Sequence, residues 1–212
     1  MKMSDVVFTI GHSTHSIERL IQLLMLHGIA AVCDVRSRPY SRMNPQFNRE
    51  TLKGSLRAAG IKYVFLGEEL GARSEDKSCY VNGQVQYSLL AKTALFEAGI
   101  KRIEEGAKAY RIALLCAEKE PLDCHRTILV GRRLFNDGID VKHVLADGQL
   151  EDHAHAIERL IAQLAVPNID MFREKAEVID EAYARRAKAI AYREQLPENS
   201  ESAPPSSASG SS

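Results

Sequence analysis

Short, mostly apolar runs recur along the chain, at residues 6–10 (VVFTI), 30–35 (AAVCDV), 61–66 (IKYVFL), 112–115 (IALL) and 141–145 (VKHVL). Runs of this length, rich in β-branched and aromatic residues, predict five buried strands. Between them, apolar positions three and four apart predict helices. The first carries Ile17, Leu20, Ile21, Leu24 and Met25, opens after a cap at Ser13 or Thr14 and closes near His27 and Gly28. The second spans 46–59, with Phe47, Leu52 and Leu56 inward and Arg49, Lys53 and Arg57 outward; Pro39 and Pro45 discourage helix just before it. A third, 88–105, offers Leu90, Ala94, Leu95 and Ile103 to the core, and a fourth follows Asp123 with Ile128, Leu129, Leu134 and Phe135 on one face. Residues 151–165 read as a further amphipathic helix. Residues 170–195 are alanine-rich and charged, with a weak stripe of Phe172, Val178, Ile179 and Ile190. The polar stretch 74–87 fits neither pattern, and is long enough to be a lid or a mobile insertion.

Alternating strands and helices predict a single α/β domain: a mostly parallel sheet of about five strands, covered by helices on both faces and joined by right-handed crossovers. It would occupy 1–150. A C-terminal helical extension, 151–196, would pack on it or pair with a second copy of the chain. The Ser/Pro/Ala/Gly-rich residues 197–212 cannot build a core and are expected to be a disordered tail. If the strands are neighbours, three of their ends converge: Gly11, His12 and Ser13; Asp34, Val35 and Arg36; Cys116, Ala117 and Glu118.

Charge and cysteine content narrow the setting. Lysine plus arginine equal aspartate plus glutamate at 28 each, so no net field recruits nucleic acid or a membrane. No apolar run reaches bilayer length, and the first residues lack the pattern of a signal peptide. Four scattered cysteines suit reduced thiols rather than a disulfide scaffold. The expectation is a cytoplasmic protein without a membrane partner.

Candidate chemistry is densest at 111–131. Asp123 is a suitable N-cap, which would place Cys124, His125 and Arg126 on a helix's first turn, where free N–H groups and the dipole favour an anion. The carboxyl end of a parallel strand is also where α/β sheets bind ligands. Asp34 is followed closely by Arg36, Arg38 and Arg42; it can hold one guanidinium while the others meet phosphate or carboxylate. His12 and Ser13 add ligands, proton carriers or turn polarity. For Cys124 three readings stay open. The helix terminus, His125 and Arg126 would lower its pKa and make it a nucleophile, against the raising effect of Asp123 and nearby glutamates, with His125 and Glu118 available for proton transfer. Cys116, Cys124 and His125 are also metal-ligating types, although Cys-x7-Cys-His is not a recognised zinc spacing. The third reading is a buried Cys116 and a polar helix cap. No cofactor is named by any motif.

Gly11-His12-Ser13, Asp34-Val35-Arg36-x-x-Pro39, Ser41-Arg42, Phe47-Asn48, Leu70-Gly71, Cys116-x-Glu118 and Cys124-His125-Arg126, in that order, resemble the family called Domain of Unknown Function 488. The resemblance covers about residues 6–147. It implies an α/β domain in which these motifs form a common polar site, and it implies no activity. Two classes of function follow. One is an enzyme acting on an anionic small molecule, a hydrolase or transferase that uses Cys124, His125 or Glu118. The other is a nucleic-acid-binding module using Arg36, Arg38, Arg42, Arg49, Lys53 and Arg57, a reading weakened by zero net charge and few stacking aromatics.

Overall fold

The computed structural model describes residues 6–167 and 174–194. The mostly apolar runs become β1 (Val6–Gly11), β2 (Ala31–Asp34), β3 (Lys62–Phe65), and, after a small hairpin formed by β4 (Tyr80–Val81) and β5 (Gln84–Val85), β6 (Ile112–Cys116) and β7 (Asp140–Val144). The main sheet, expected to have about five strands, has a sixth at its edge, β8 (Leu150–Asp152). It pairs antiparallel with β7 at the edge, so the first residues expected in the 151–165 helix are strand instead. The order is β3-β2-β6-β1-β7-β8, parallel except for β8. From β1 the chain moves one way to β2 and β3; from β6 it moves the other way to β7. The crevice between β1 and β6 is therefore a topological switch point, where open α/β sheets bind ligands.

Strand side chains alternate between two cores. Phe8, Ile10, Val32, Ala113 and Leu115 meet Leu20, Leu23 and Leu24 of α1 (Ile17–Leu26) and Leu52 and Leu56 of α2 (Arg49–Ala58). Val7, Cys33, Ile112, Leu114 and Cys116 face the opposite layer. That layer begins with α3 (Gly67–Leu70) and α4 (Tyr87–Leu90) and is dominated by α5 (Ala94–Ala109), whose Phe96, Ile100 and Ile103 are buried. It continues through a π-helix, Arg126–Gly131, into α6 (Arg132–Asn136), then α7 (His153–Gln163) and α8 (Lys175–Ile190). Val178, Ala182 and Tyr183 of α8 join the same apolar cluster as Ile128 and Leu160, so the helical extension packs on the domain.

Several local expectations shift for identifiable reasons. Ser16, not Ser13 or Thr14, caps α1, its side chain accepting from the Arg19 amide; Leu23 takes the buried place expected of Met25, which is 62 % exposed. A 3-10 turn at Pro45–Phe47 precedes α2, with proline in its first turn, where its missing N–H costs nothing. The expected 88–105 helix is two helices, because Thr93 caps α5 and restarts the register, which leaves Leu95 exposed. The 74–87 stretch is built, not structureless. Asn82 and Gly83 turn the β4–β5 hairpin with φ of 49° and 72°, as a tight two-residue turn requires. The hairpin is tied down by the C-terminal arm: the Val85 amide donates to the Tyr192 carbonyl at 3.0 Å and the Glu194 amide to the Gly83 carbonyl at 2.8 Å. Phe172 and the expected tail at 197–212 lie outside the described residues.

Candidate functional site

The register brings the three expected strand ends together. Gly11 lies opposite Cys116 and Asp34 opposite Leu115, and the pairing continues past the strands, with the His12 amide donating to the Cys116 carbonyl and the Val35 amide to the Leu115 carbonyl. Gly11 is needed here: a Cβ would lie 1.8 Å from the Glu118 carbonyl oxygen, so only glycine lets the loop after β6 close over β1.

On the β2 side, fully buried Asp34 grips Arg36. Oδ1 accepts from Nε at 2.9 Å and from the Arg36 amide at 3.1 Å, and Oδ2 accepts from Nη2 at 2.6 Å and from the Tyr63 hydroxyl at 2.8 Å. Arg36 Nη2 also donates to the Phe47 carbonyl, and Nη1 to His12 Nε2 at 3.1 Å. His12 Nδ1 donates to the Ser13 carbonyl at 2.8 Å, which fixes the tautomer that leaves Nε2 as acceptor. Burial, helped by the Arg36 charge, lowers its pKa to about 4, and the neutral ring stacks on Phe47. His12 and Asp34 therefore orient Arg36. Asp34 thus holds one guanidinium, as its place before three arginines implies, whereas His12, expected as a ligand or proton carrier, has both ring nitrogens engaged.

Four side chains meet on the β6 side. Glu118 Oε2 lies 2.9 Å from Cys116 Sγ and 3.1 Å from Cys124 Sγ; His125 Nδ1 lies 3.6 Å from Cys116 Sγ and 3.9 Å from Cys124 Sγ. His125 Nε2 donates to the Val35 carbonyl at 3.0 Å, so Nδ1 is the nitrogen turned to the sulfurs. The local backbone departs from the expected capped α-helix. Glu120, not Asp123, caps a 3-10 turn at Pro121–Asp123; Cys124 is extended, and its sulfur accepts from the Arg126 amide at the mouth of the π-helix. Asp123 instead pairs with Arg186 at 2.7 Å. Arg126 was expected to bind an anion, but it is wholly buried, and its guanidinium donates to the Glu118 and Lys119 carbonyls. It braces the loop that carries Glu118.

Charge in this cluster is unevenly placed. Burial opposes a Cys124 thiolate, but the Cys116 thiol, Arg126 and His125 together hold Cys124 well below the ordinary thiol value. Cys116 is raised well above it by burial and by its sulfur neighbour. Burial and Cys124 raise Glu118. Burial alone would lower His125, yet Cys124 and Glu118 raise it.

Cys116, Glu118 and His125 open onto a cleft of about 480 Å³ that also exposes Arg36, Arg38, Arg73, Tyr40, Tyr87 and Tyr192. Arg38 is exposed and has no ion pair among the described residues, and Arg73 lies over the Tyr192 ring at 4.5 Å. Ser13, Arg42 and Cys124 do not line this cleft. The other basic residues of 36–57 are variously placed: Arg49 lies over the Phe65 ring, and both it and Lys53 reach Glu50. A larger cavity, about 750 Å³ between the hairpin and α8, contains neither cysteine nor histidine, and its Arg132 and Arg133 are paired with Asp180 and with Glu97 and Asp137.

A family model described as "Domain of unknown function DUF488" matches residues 16–132, more than half of the chain. The chain belongs to the DUF488 family. No curated protein and no solved structure matches it. The DUF488 span holds the Asp34–Arg36 pair, Arg38, Arg73, Tyr87 and the whole Cys116–Arg126 loop, while Gly11 to Ser13, β7, β8, α7 and α8 lie outside it. One wall of the cleft, Ile190 and Tyr192, is thus supplied by residues beyond the DUF488 match. Sequence reading missed Tyr63, Arg73, Tyr87 and Tyr192. The usable signal was compositional: arginine and tyrosine, Arg73 and Tyr87, flank an otherwise polar insertion, and Tyr63 puts a hydroxyl into a mostly apolar strand.

Proposed function

We propose that this DUF488 protein is an enzyme acting on a small phosphate- or carboxylate-bearing molecule held in the Arg38–Arg73 cleft. The observation that carries this reading is the presence on one cleft of Arg38 and Arg73, neither in an ion pair among the described residues, and of a thiol–carboxylate–imidazole cluster. Arg38 and Arg73 bind the anion, with Arg36 held rigidly beside them by Asp34, and a positioned guanidinium fork suits both oxyanions. Glu118, raised by burial and Cys124, and His125, raised by Cys124 and Glu118 against the lowering effect of burial, face the cleft as proton carriers. Cys124 sits behind Cys116 and His125, and acts through them. Tyr87 and Tyr192 supply flat apolar walls for the rest of the molecule.

The test is ligand-induced thermal stabilisation against inorganic pyrophosphate, nucleoside monophosphates and short dicarboxylates. One class should stabilise the parent protein, and Arg38→Gln and Arg73→Gln should each remove most of that shift, while Arg57→Gln on the outer face of α2 should not. Stabilisation that survives both cleft substitutions, or absence of any shift across the panel, defeats the proposal.

A further inference from the structure

We propose that Cys116, Cys124 and His125, with Glu118 beside them, form a binding site for one zinc-class divalent ion. The three ligand atoms all lie within 4.8 Å of one another. In a tetrahedral site, bonds of about 2.3 Å to sulfur and about 2.0 Å to nitrogen set sulfur and nitrogen roughly 3.6 Å apart. The observed separations of 3.6 and 3.9 Å already match that edge.

The surroundings point the same way. A metal-bound imidazole generally donates its other N–H to a fixed acceptor. His125 Nε2 does this to the Val35 carbonyl, presenting Nδ1 alone. Glu118 is an exposed residue, yet it turns its carboxylate inward to two sulfurs, weak hydrogen-bonding partners compared with water. Its contacts of 2.9 Å to Cys116 Sγ and 3.1 Å to Cys124 Sγ are hydrogen-bond distances, shorter than ligands of one ion keep from each other. With both sulfurs binding the ion as thiolates and the displaced protons released to solvent, that carboxylate would be free to step back as a fourth ligand, or to stay as a base facing the cleft. The ligands also sit on rigid supports: Cys116 ends the central β6, and Cys124 and His125 lie between a capped 3-10 turn and the π-helix.

This inference deepens the proposed function and rests on the same cleft, but ion binding is measured without any substrate. The full chain, purified without metal-affinity chromatography and then stripped with chelator, is titrated with cobalt(II). One equivalent should bind, with thiolate-to-cobalt charge-transfer absorption and the strong visible bands of a tetrahedral site; zinc should bleach them, and protons should be released. Cys116→Ser and Cys124→Ser should each weaken cobalt binding by more than the roughly 10–100-fold that follows loss of a mere orienting partner. Should those variants fail to fold, the parent protein decides: one equivalent of cobalt must bring up the thiolate charge-transfer band and release protons. Absence of stoichiometric cobalt, or a spectrum without the thiolate band, overturns the proposal, as does a Cys116–Cys124 disulfide in anaerobically prepared protein. Pyrophosphate stabilisation without cobalt binding would sink the metal and leave the cleft reading standing. Cobalt binding without any anion effect would do the reverse.

Discussion

Asp34 and Arg36 carry opposite charges with side chains 0 % and 8 % exposed, so each depends on the other. Removing one partner of a buried pair strands the other charge, at a cost of roughly 3–5 kcal/mol, far above the net worth of the intact pair. Asp34→Asn should therefore lower unfolding stability by that order, read from urea denaturation, whereas Tyr63→Phe, which deletes one hydroxyl donor to the same carboxylate, should cost only about 1 kcal/mol. Equal effects would mean that the ion pair is not the element holding this corner together. The pair itself was legible, because two charges at the end of an apolar run have few alternatives to each other. His12 was not. Its role depends on an arginine 24 residues away and on a backbone carbonyl that consumes its second nitrogen, and no local pattern encodes either.

Between elements, a thread of buried polar groups crosses the second core. Thr9 of β1 bonds His143 of β7 at 2.8 Å; His143 bonds His153 of α7 at 3.1 Å; His153 bonds the Tyr183 hydroxyl of α8 at 2.8 Å. Burial pushes His153 down to about 4 and His143 well below its ordinary value, so both rings are neutral in the folded chain. The sign follows directly. A folded pKa lower than the unfolded one gives stability that is fully present above about pH 6.5 and is lost as pH falls toward 4. For His153 alone the loss approaches about 3 kcal/mol. Denaturation at pH 7 and pH 4.5 should show the parent losing more stability between the two than His153→Gln, which starts lower but lacks the titrating ring. His12, also near 4, leaves some slope in the variant. Parallel losses would refute the assignment. Strand β7 was readable from its apolar run, yet the same run hid His143, because alternation says which face a side chain occupies and not what it meets there. Strand β8 escaped because Leu150, Glu151 and Asp152 carry no apolar signature; they are strand only through pairing with β7.

For the molecule as a whole, the sheet and its two helical layers were legible because period and run length act locally, whereas the cleft's outer wall joins segments more than 100 residues apart. The β4–β5 hairpin is two residues per strand, too short to be stable alone. What holds it is the arm after α8: two backbone hydrogen bonds to residues 192–194, the Gln84 side chain on the Lys188 carbonyl at 2.8 Å, and Arg73 over Tyr192. Ending the chain at Ala191 removes both backbone bonds and the Tyr192 ring. At about 1 kcal/mol per bond, the loss is about 2 kcal/mol, or a fall in Tm of roughly 4–8 °C for a chain of this size. Ending it at Leu196 spares those contacts and should leave Tm unchanged. Hydrogen exchange localises the effect, since the Val85 amide loses its Tyr192 acceptor only in the shorter chain and should exchange faster there. The cleft should respond too: freed of the Tyr192 ring, Arg73 is less fixed, so anion-induced stabilisation should shrink in the shorter chain while cobalt binding at Cys116, Cys124 and His125 persists. An unprotected Val85 amide in the full chain, or identical exchange in both truncations, would show that the arm does not hold the hairpin over the cleft.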